Sequence, residues 1–244
     1  MGKIFFRFFL LSLIILISII IYLSIFGIST KKFNEVIKEK ANVAHKDVQL
    51  DFKSTKIYLY IKELKLLIKL KDPKVVVKKK DINLSELDLF LSLKSFYTSD
   101  FLLEKAKVSF EKNNIKDLTK VTRIFLPRII NKKLNKIFTK GNLQGQFIIP
   151  FRSDGTISDD YEFYGKVLDA DINVKEGYAL KDFTAEIGFK DNSYPDGLRI
   201  AIKKAFFLNL DFSESHIDVN FLQDKKIVNS TIQSKGEINS KQIE

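Results

Sequence analysis

The chain has 244 residues, no cysteine, two histidines and a formal charge of +11. Lacking thiols, it has no disulfides, no thiolate metal centre and no cysteine nucleophile. His45 and His216 fall in different predicted elements and read as ordinary polar residues. Basic charge commonly means nucleic acid, but no helix-turn-helix, zinc or aromatic ribonucleoprotein pattern is present, so no nucleic-acid partner is expected. Nothing calls for a cofactor.

From Phe8 to Ile28 run twenty-one residues without charge or proline, through Leu16 and Ile20, between Lys3 and Arg7 on one side and Lys31 and Lys32 on the other. At about 1.5 Å per residue this run crosses a hydrocarbon layer of about 30 Å as one helix. A cleaved signal would have a shorter apolar region and a small-x-small site, which Phe26-Gly27-Ile28-Ser29 does not supply. An uncleaved single-pass anchor is expected, with residues 1–7 as a cytoplasmic tail and the body across the membrane. The lysines just after the span argue the other way, but long domains translocate largely regardless of charge. Fifteen lysines against six acids lie between Lys31 and Lys80, suiting either anionic headgroups or solvated strand faces.

Residues 29–46 read as a juxtamembrane helix, with Ser29 or Thr30 as cap and Phe33, Val36, Ile37, Ala41 and Ala44 at helical spacing. From Asp47 the period becomes two. Val48, Leu50 and Phe52 alternate with polar residues; Ile57, Leu59 and Ile61 are odd while Leu64, Leu66, Ile68 and Leu70 are even. A bulge or turn near Lys62-Glu63 must absorb that slip. Asp72-Pro73 ends the strand, and further strands hold Val75 and Val77, then Leu87, Leu89, Leu91 and Leu93, then Ala106, Val108 and Phe110. Asp88, Ser92 and Lys94 are expected to face water, with Phe90 exceptional on that side.

At about 114–140 the spacing of Leu118, Val121, Phe125, Leu134, Ile137 and Phe138 predicts an amphipathic helix capped by Gly141, either kinked at Pro127 or divided into two with Pro127 in the first turn of the second. Strands then resume with Phe147, Ile149 and Phe151, a turn at Ser153-Asp154-Gly155, and Phe183, Ala185, Ile187 and Phe189. After a turn at Pro195-Asp196-Gly197 come Leu198 to Phe212, then Ile217, Val219 and Phe221. The last strand has no closing element, so a longer chain is expected.

No catalytic constellation stands out, and no enzyme is expected. Asp159-Asp160 and Asp169 with Asp171 read as solvated acids, and Ser213, Ser215 and His216 lie too close along one turn to form a triad. The fold class is mainly β: antiparallel strands with one apolar face, an N-terminal transmembrane helix and one substantial amphipathic helix. That face meets either a second sheet or an apolar ligand, and periodicity leaves both open.

The opening SIFGISTKKFNEVIKEKANV, in which Thr30, Lys32, Phe33 and Asn34 follow the span, leads into the strand DVQLDF. With KGNLQGQFIIPF and YEFYGKVLDADINV further on, it resembles the amino-terminal part of AsmA-like proteins, the TamB- and YhdP-type bridge-like lipid transfer proteins. The resemblance implies a curved antiparallel sheet forming an open, β-taco-like groove over residues 47–244, interrupted by the helix. It implies an inner-membrane anchor, a periplasmic body, and phospholipids moving toward the outer membrane. The groove would be lined by Leu50, Phe52, Leu59, Leu66, Leu87, Leu89, Leu91, Leu93, Val108, Phe147, Ile149, Phe183, Ile187, Val219 and Phe221. The alternative is a periplasmic assembly factor whose strand edges engage outer-membrane proteins.

Overall fold

The computed structural model describes residues 2–31, 34–44, 48–77, 80–97, 102–122, 137–158, 160–175, 177–191, 194–222 and 225–237. Phe33, His45, Pro127, Asp159 and most of the predicted central helix lie outside them.

Helix α1 (Gly2–Ile25) is apolar enough to cross a membrane over Ile4–Ile25. It ends where the Phe26 and Gly27 N–H groups both donate to the Tyr22 carbonyl, at 2.8 and 3.3 Å, with Gly27 at φ +62°. That left-handed step suits glycine. It leads directly into β1 (Ile28–Thr30), so Ile28 is a strand residue and not the last of the span, and Ser29 and Thr30 pair in a sheet instead of capping a helix. Helix α2 (Asn34–Ala44) follows.

Strands β2 (Val48–Asp51) and β3 (Ser54–Tyr60) come next, and the predicted phase slip is a 3-10 turn, Ile61–Glu63, closed by Leu64 at φ +50°. Strand β4 (Lys65–Lys71) ends at Asp72 and Pro73, before β5 (Lys74–Val77) and β6 (Lys80–Ser92). A one-turn helix α3 (Lys94–Tyr97) leads to β7 (Leu103–Asn114). Leu93 is therefore in a turn, outside the strand it was expected to extend.

Helix α4 (Ile115–Thr122) is the start of the predicted 114–140 helix, but Phe138 already opens β8 (Phe138–Pro150). Gly141 lies inside that strand at φ +127°, where a Cβ would stand 2.7 Å from the Ala170 Cα. Glycine is there for a close backbone approach, not as a helix cap. The rest is β9 (Glu162–Lys175), β10 (Tyr178–Asp191), β11 (Tyr194–Phe207), β12 (Leu210–Asp211), β13 (His216–Leu222) and β14 (Lys225–Thr231). Pro195-Asp196-Gly197 is within β11 and does not form the expected turn.

All fourteen strands form one curved, open antiparallel sheet, not closed into a barrel. Its main order is β1-β3-β4-β6-β7-β8-β9-β10-β11-β13-β14, with β5 pairing the first part of β6 and β2 pairing β5. Register carries the apolar alternation from strand to strand: Ile57, Ile68, Leu89, Ala106 and Ile149 are successive partners across β3, β4, β6, β7 and β8. A second row runs Leu70, Leu87, Val108, Phe147, Phe163, Phe189, Leu198, Val219 and Val228, out to the β14 edge.

Candidate apolar binding face

One side of this sheet is apolar from end to end, but its cover is uneven. At the β3–β7 end, Ile37 of α2 and Phe52 pack with Ile68, Leu70, Leu87, Leu89, Leu91 and Ala106 into a buried cluster, which Leu50, Leu66, Val108 and Phe151 flank. Lys38 pins the corner: its ammonium binds Asp51 at 2.5 Å and stands 5.2 Å from the Phe52 ring centroid. Phe52, Leu87, Leu89 and Leu91, expected to line a groove, are thus packed core, each no more than 8% exposed. Leu59 stays half-buried at the margin.

A second closed cluster lies under α4, where Ile115 meets Val167, Ala170, Phe183, Ala185 and Ala205. The small residues let α4 approach the sheet closely. Phe183, another expected lining residue, belongs to this core, and Ile187 flanks it.

Between and beyond these clusters no helix covers the face among the described residues. Phe147, Ile149, Phe163, Ile187, Phe189, Leu198, Val219 and Phe221 are all half-buried, and Val228 at the edge is 61% exposed. Rings dominate: Phe147 and Phe163 have centroids 4.5 Å apart, Phe110 stacks 6.5 Å from Phe163, and Phe189 meets Phe221 edge-on at 5.9 Å. Gly145 and Gly165, paired across β8 and β9, form a floor on which Phe163 lies; a Cβ on Gly165 would stand 2.4 Å from its ring. Phe163, Phe189 and Leu198 escaped the sequence-based lining set. Alternation through 163, 165 and 167 would have found the first, had the glycine not interrupted it.

The opposite side is a lattice of cross-strand ion pairs. Lys69 donates to Glu86 at 2.9 Å and reaches Asp88 at 3.3 Å, Lys107 reaches Glu86, Lys166 and Lys203 share Glu186, and Arg199 clasps Asp218 through two nitrogens. Lys38, Lys53, Lys65, Lys69 and Lys74 of the basic stretch are paired with acids. Near the β3–β4 turn this side turns apolar, where Leu67 and Phe90 are buried and Tyr60 meets Phe90 edge-on at 5.6 Å. Phe90 is on the outer side, as expected, but it is covered.

Two acids expected to face water do not. Asp88 is 3% exposed, and among the described residues no hydrogen-bond donor reaches its Oδ1. Burial lifts its carboxyl above the ordinary value, against the pull of Lys69. Asp171 is 7% exposed. Burial pushes it up too, but Lys181, the Asp182 N–H and Lys140 outweigh that and hold it below the ordinary value. Ser215 is buried and bonds the Gln233 backbone, while Ser213 donates its N–H and hydroxyl to the Asp211 carboxylate, so neither addresses His216. Among the described residues no three metal-ligating side chains converge. No protein-family model, curated protein or solved structure matches this chain.

Proposed function

We propose that the chain is a membrane-anchored lipid-binding protein, whose open apolar face from β8 to β14 takes up the acyl chains of phospholipids. The observation that carries this reading is the unbroken half-buried row from Phe147 to Val219, backed by a charged outer side. Uncovered apolar area of that extent on a soluble surface calls for an apolar partner. The closed cluster under α2 stiffens the end nearest α1, and the row runs from there to an open edge. With the resemblance to AsmA-like proteins, this gives an inner-membrane anchor, an amino terminus in the cytoplasm, a periplasmic body and phospholipid moving toward the outer membrane.

Photo-crosslinking amino acids at Phe147 and Phe189, in the full chain in its membrane, are expected to capture lipid, whereas one at Arg199 on the outer side is not. Crosslinks confined to the chain's own strands would refute a lipid-holding face. A second reading is favoured by β14, exposed at every residue and last in the sheet order. Among the described residues no strand pairs with its outer edge, which suits addition of a strand from an unfolded outer-membrane protein. Crosslinks from Asn229 to such a protein, without lipid at Phe147, would favour it.

A further inference from the structure

We infer that the β3–β4 turn, Ile61 to Leu64, is a second membrane-inserting element, seated in the bilayer beside α1. The inference takes α1 as a membrane span but does not require the apolar face to carry lipid.

Helix α1 is exposed on nearly all its surface, except that Ile20, Leu23 and Ser24 are partly shielded and Gly27 is buried. These positions, three or four apart, mark one helical face, and α1 packs against β3. The contact is close at its base: a Cβ on Gly27 would stand 2.7 Å from the Ile57 carbonyl oxygen and 2.9 Å from the Tyr58 ring. The end of α1 is therefore held along β3 by packing, not by a loose tether.

From that base the two elements run side by side. Ile28 is paired with Ile57, and the four steps to Ile61 cover about 13 Å of strand. On the helix, the seven steps back from Gly27 to Ile20 cover about 10 Å. The turn thus reaches about 3 Å past the level of Ile20, inside the apolar window Ile4–Ile25.

Its side chains suit that depth. Leu64 is 66% exposed and Ile61 48% exposed, and the left-handed backbone at Leu64 belongs to a sharp turn at the tip. Glu63 is neutralised by Lys65 at 2.8 Å and Lys105 at 3.2 Å. Lys62 has a stem long enough to return its charge to the headgroups. By the same steps Tyr22 on the helix stands about 8 Å and Tyr60 on β3 about 10 Å from that base, near the end of the apolar window, where interfacial tyrosines collect. Ile25, Phe26 and Ile28, all more than half exposed, extend the same apolar surface.

The absence of cysteine makes single-site labelling clean. Full-length Leu64→Cys, Ile17→Cys and Ile232→Cys, each carrying an environment-sensitive nitrobenzoxadiazole dye, would be placed in phosphatidylcholine vesicles containing lipid spin-labelled high on the acyl chain. Ile232 is as exposed as Leu64 but near the far edge, and Ile17 is within α1. The dye at Leu64 is expected to shift to the blue and lose most of its intensity to the spin label, as at Ile17, while the dye at Ile232 does neither. Quenching at Ile17 with water-like emission at Leu64 would overturn the inference and leave the span intact. A blue shift at Leu64 without quenching would also overturn it, because protein would then cover the turn. No quenching at Ile17 would remove span and insertion together.

Discussion

Strands β3 to β7 and strands β8 to β14 carry the same alternation of apolar and polar residues, on the same side of the same sheet. In the first region, Ile37 from α2, Phe52 and Phe151 close over Leu87, Leu89 and Leu91. In the second, among the described residues, Phe147 and Phe163 pack on each other and on Phe110, Phe189 packs on Tyr161 and Phe221, and only the corner under α4 has a helix over it. Alternation therefore fixes which side of a strand avoids water, whereas the residues that provide cover come from elsewhere in the chain. One sheet can thereby serve as a hydrophobic core at one end and an accessible surface at the other.

The largest test of this contrast is a buried charge. Leu89→Asp places a carboxylate among Ile37, Phe52 and Ile68, at a cost of several kcal/mol that should abolish cooperative unfolding in urea. Val219→Asp reaches solvent and should lower the urea midpoint by no more than about 1 kcal/mol equivalent. Equal losses from the two would mean the open region is as tightly covered as the first.

Gly165→Ala probes the floor of the open region. Its Cβ would meet the Phe163 ring at 2.4 Å and the Gln144 carbonyl oxygen at 2.7 Å; the ring can tilt but the strand backbone cannot. A loss of about 1–3 kcal/mol is expected, with the Phe147–Phe163 contact disturbed. An unchanged thermal midpoint would show that the ring does not rest on the floor.

The two buried acids should respond to pH with opposite signs. Asp88, beside the first cluster, is held above the ordinary value of 3.8, so its stabilising contribution is full below that value and lost as pH rises through the higher folded pKa. Asp171, beside the second, is held below 3.8, so its contribution is present above that value and lost as pH falls through the lower folded pKa. At neutral pH Asp88→Asn should raise the urea midpoint, a difference that shrinks as pH falls to the ordinary value of 3.8, and Asp171→Asn should lower it, a difference that shrinks only as pH falls below 3.8. Shifts of the same sign at neutral pH would contradict the opposite environments.

The smallest effects belong to the outer lattice. Glu86→Gln in the first region and Glu186→Gln in the second each break partly exposed pairs, and each should cost about 0–1 kcal/mol, less at high salt. A clearly larger loss at Glu86 would mean that it also steadies Lys69 over Asp88.

Much of the sheet could be read from period alone, because alternation survives wherever a strand has two unlike sides. The slip between Leu59 and Leu66 even located the turn at Ile61–Glu63. Reading failed where local signals mimic one another. Ile28 is as apolar as the span before it, so hydropathy alone runs the span on into β1. Phe138 continues a helical spacing by coincidence, which made Gly141 look like a cap. Asp88 and Asp171 looked solvated because the lysines that answer them stand on other strands. The cover over Leu89 was illegible for the same reason: α2 comes from some fifty positions upstream.

The order of the sheet has a consequence for how the chain is made. Apart from the β2–β5 excursion, almost every strand pairs with its neighbour in sequence, starting beside α1 and ending at β14. Contact order is therefore low, and stability accumulates by nearest-neighbour increments, as in a repeat protein. Each newly emerged strand finds its template already in place, so assembly can advance one hairpin at a time away from α1. Amide-exchange protection should then decline along the same direction, from Leu89 toward Val228.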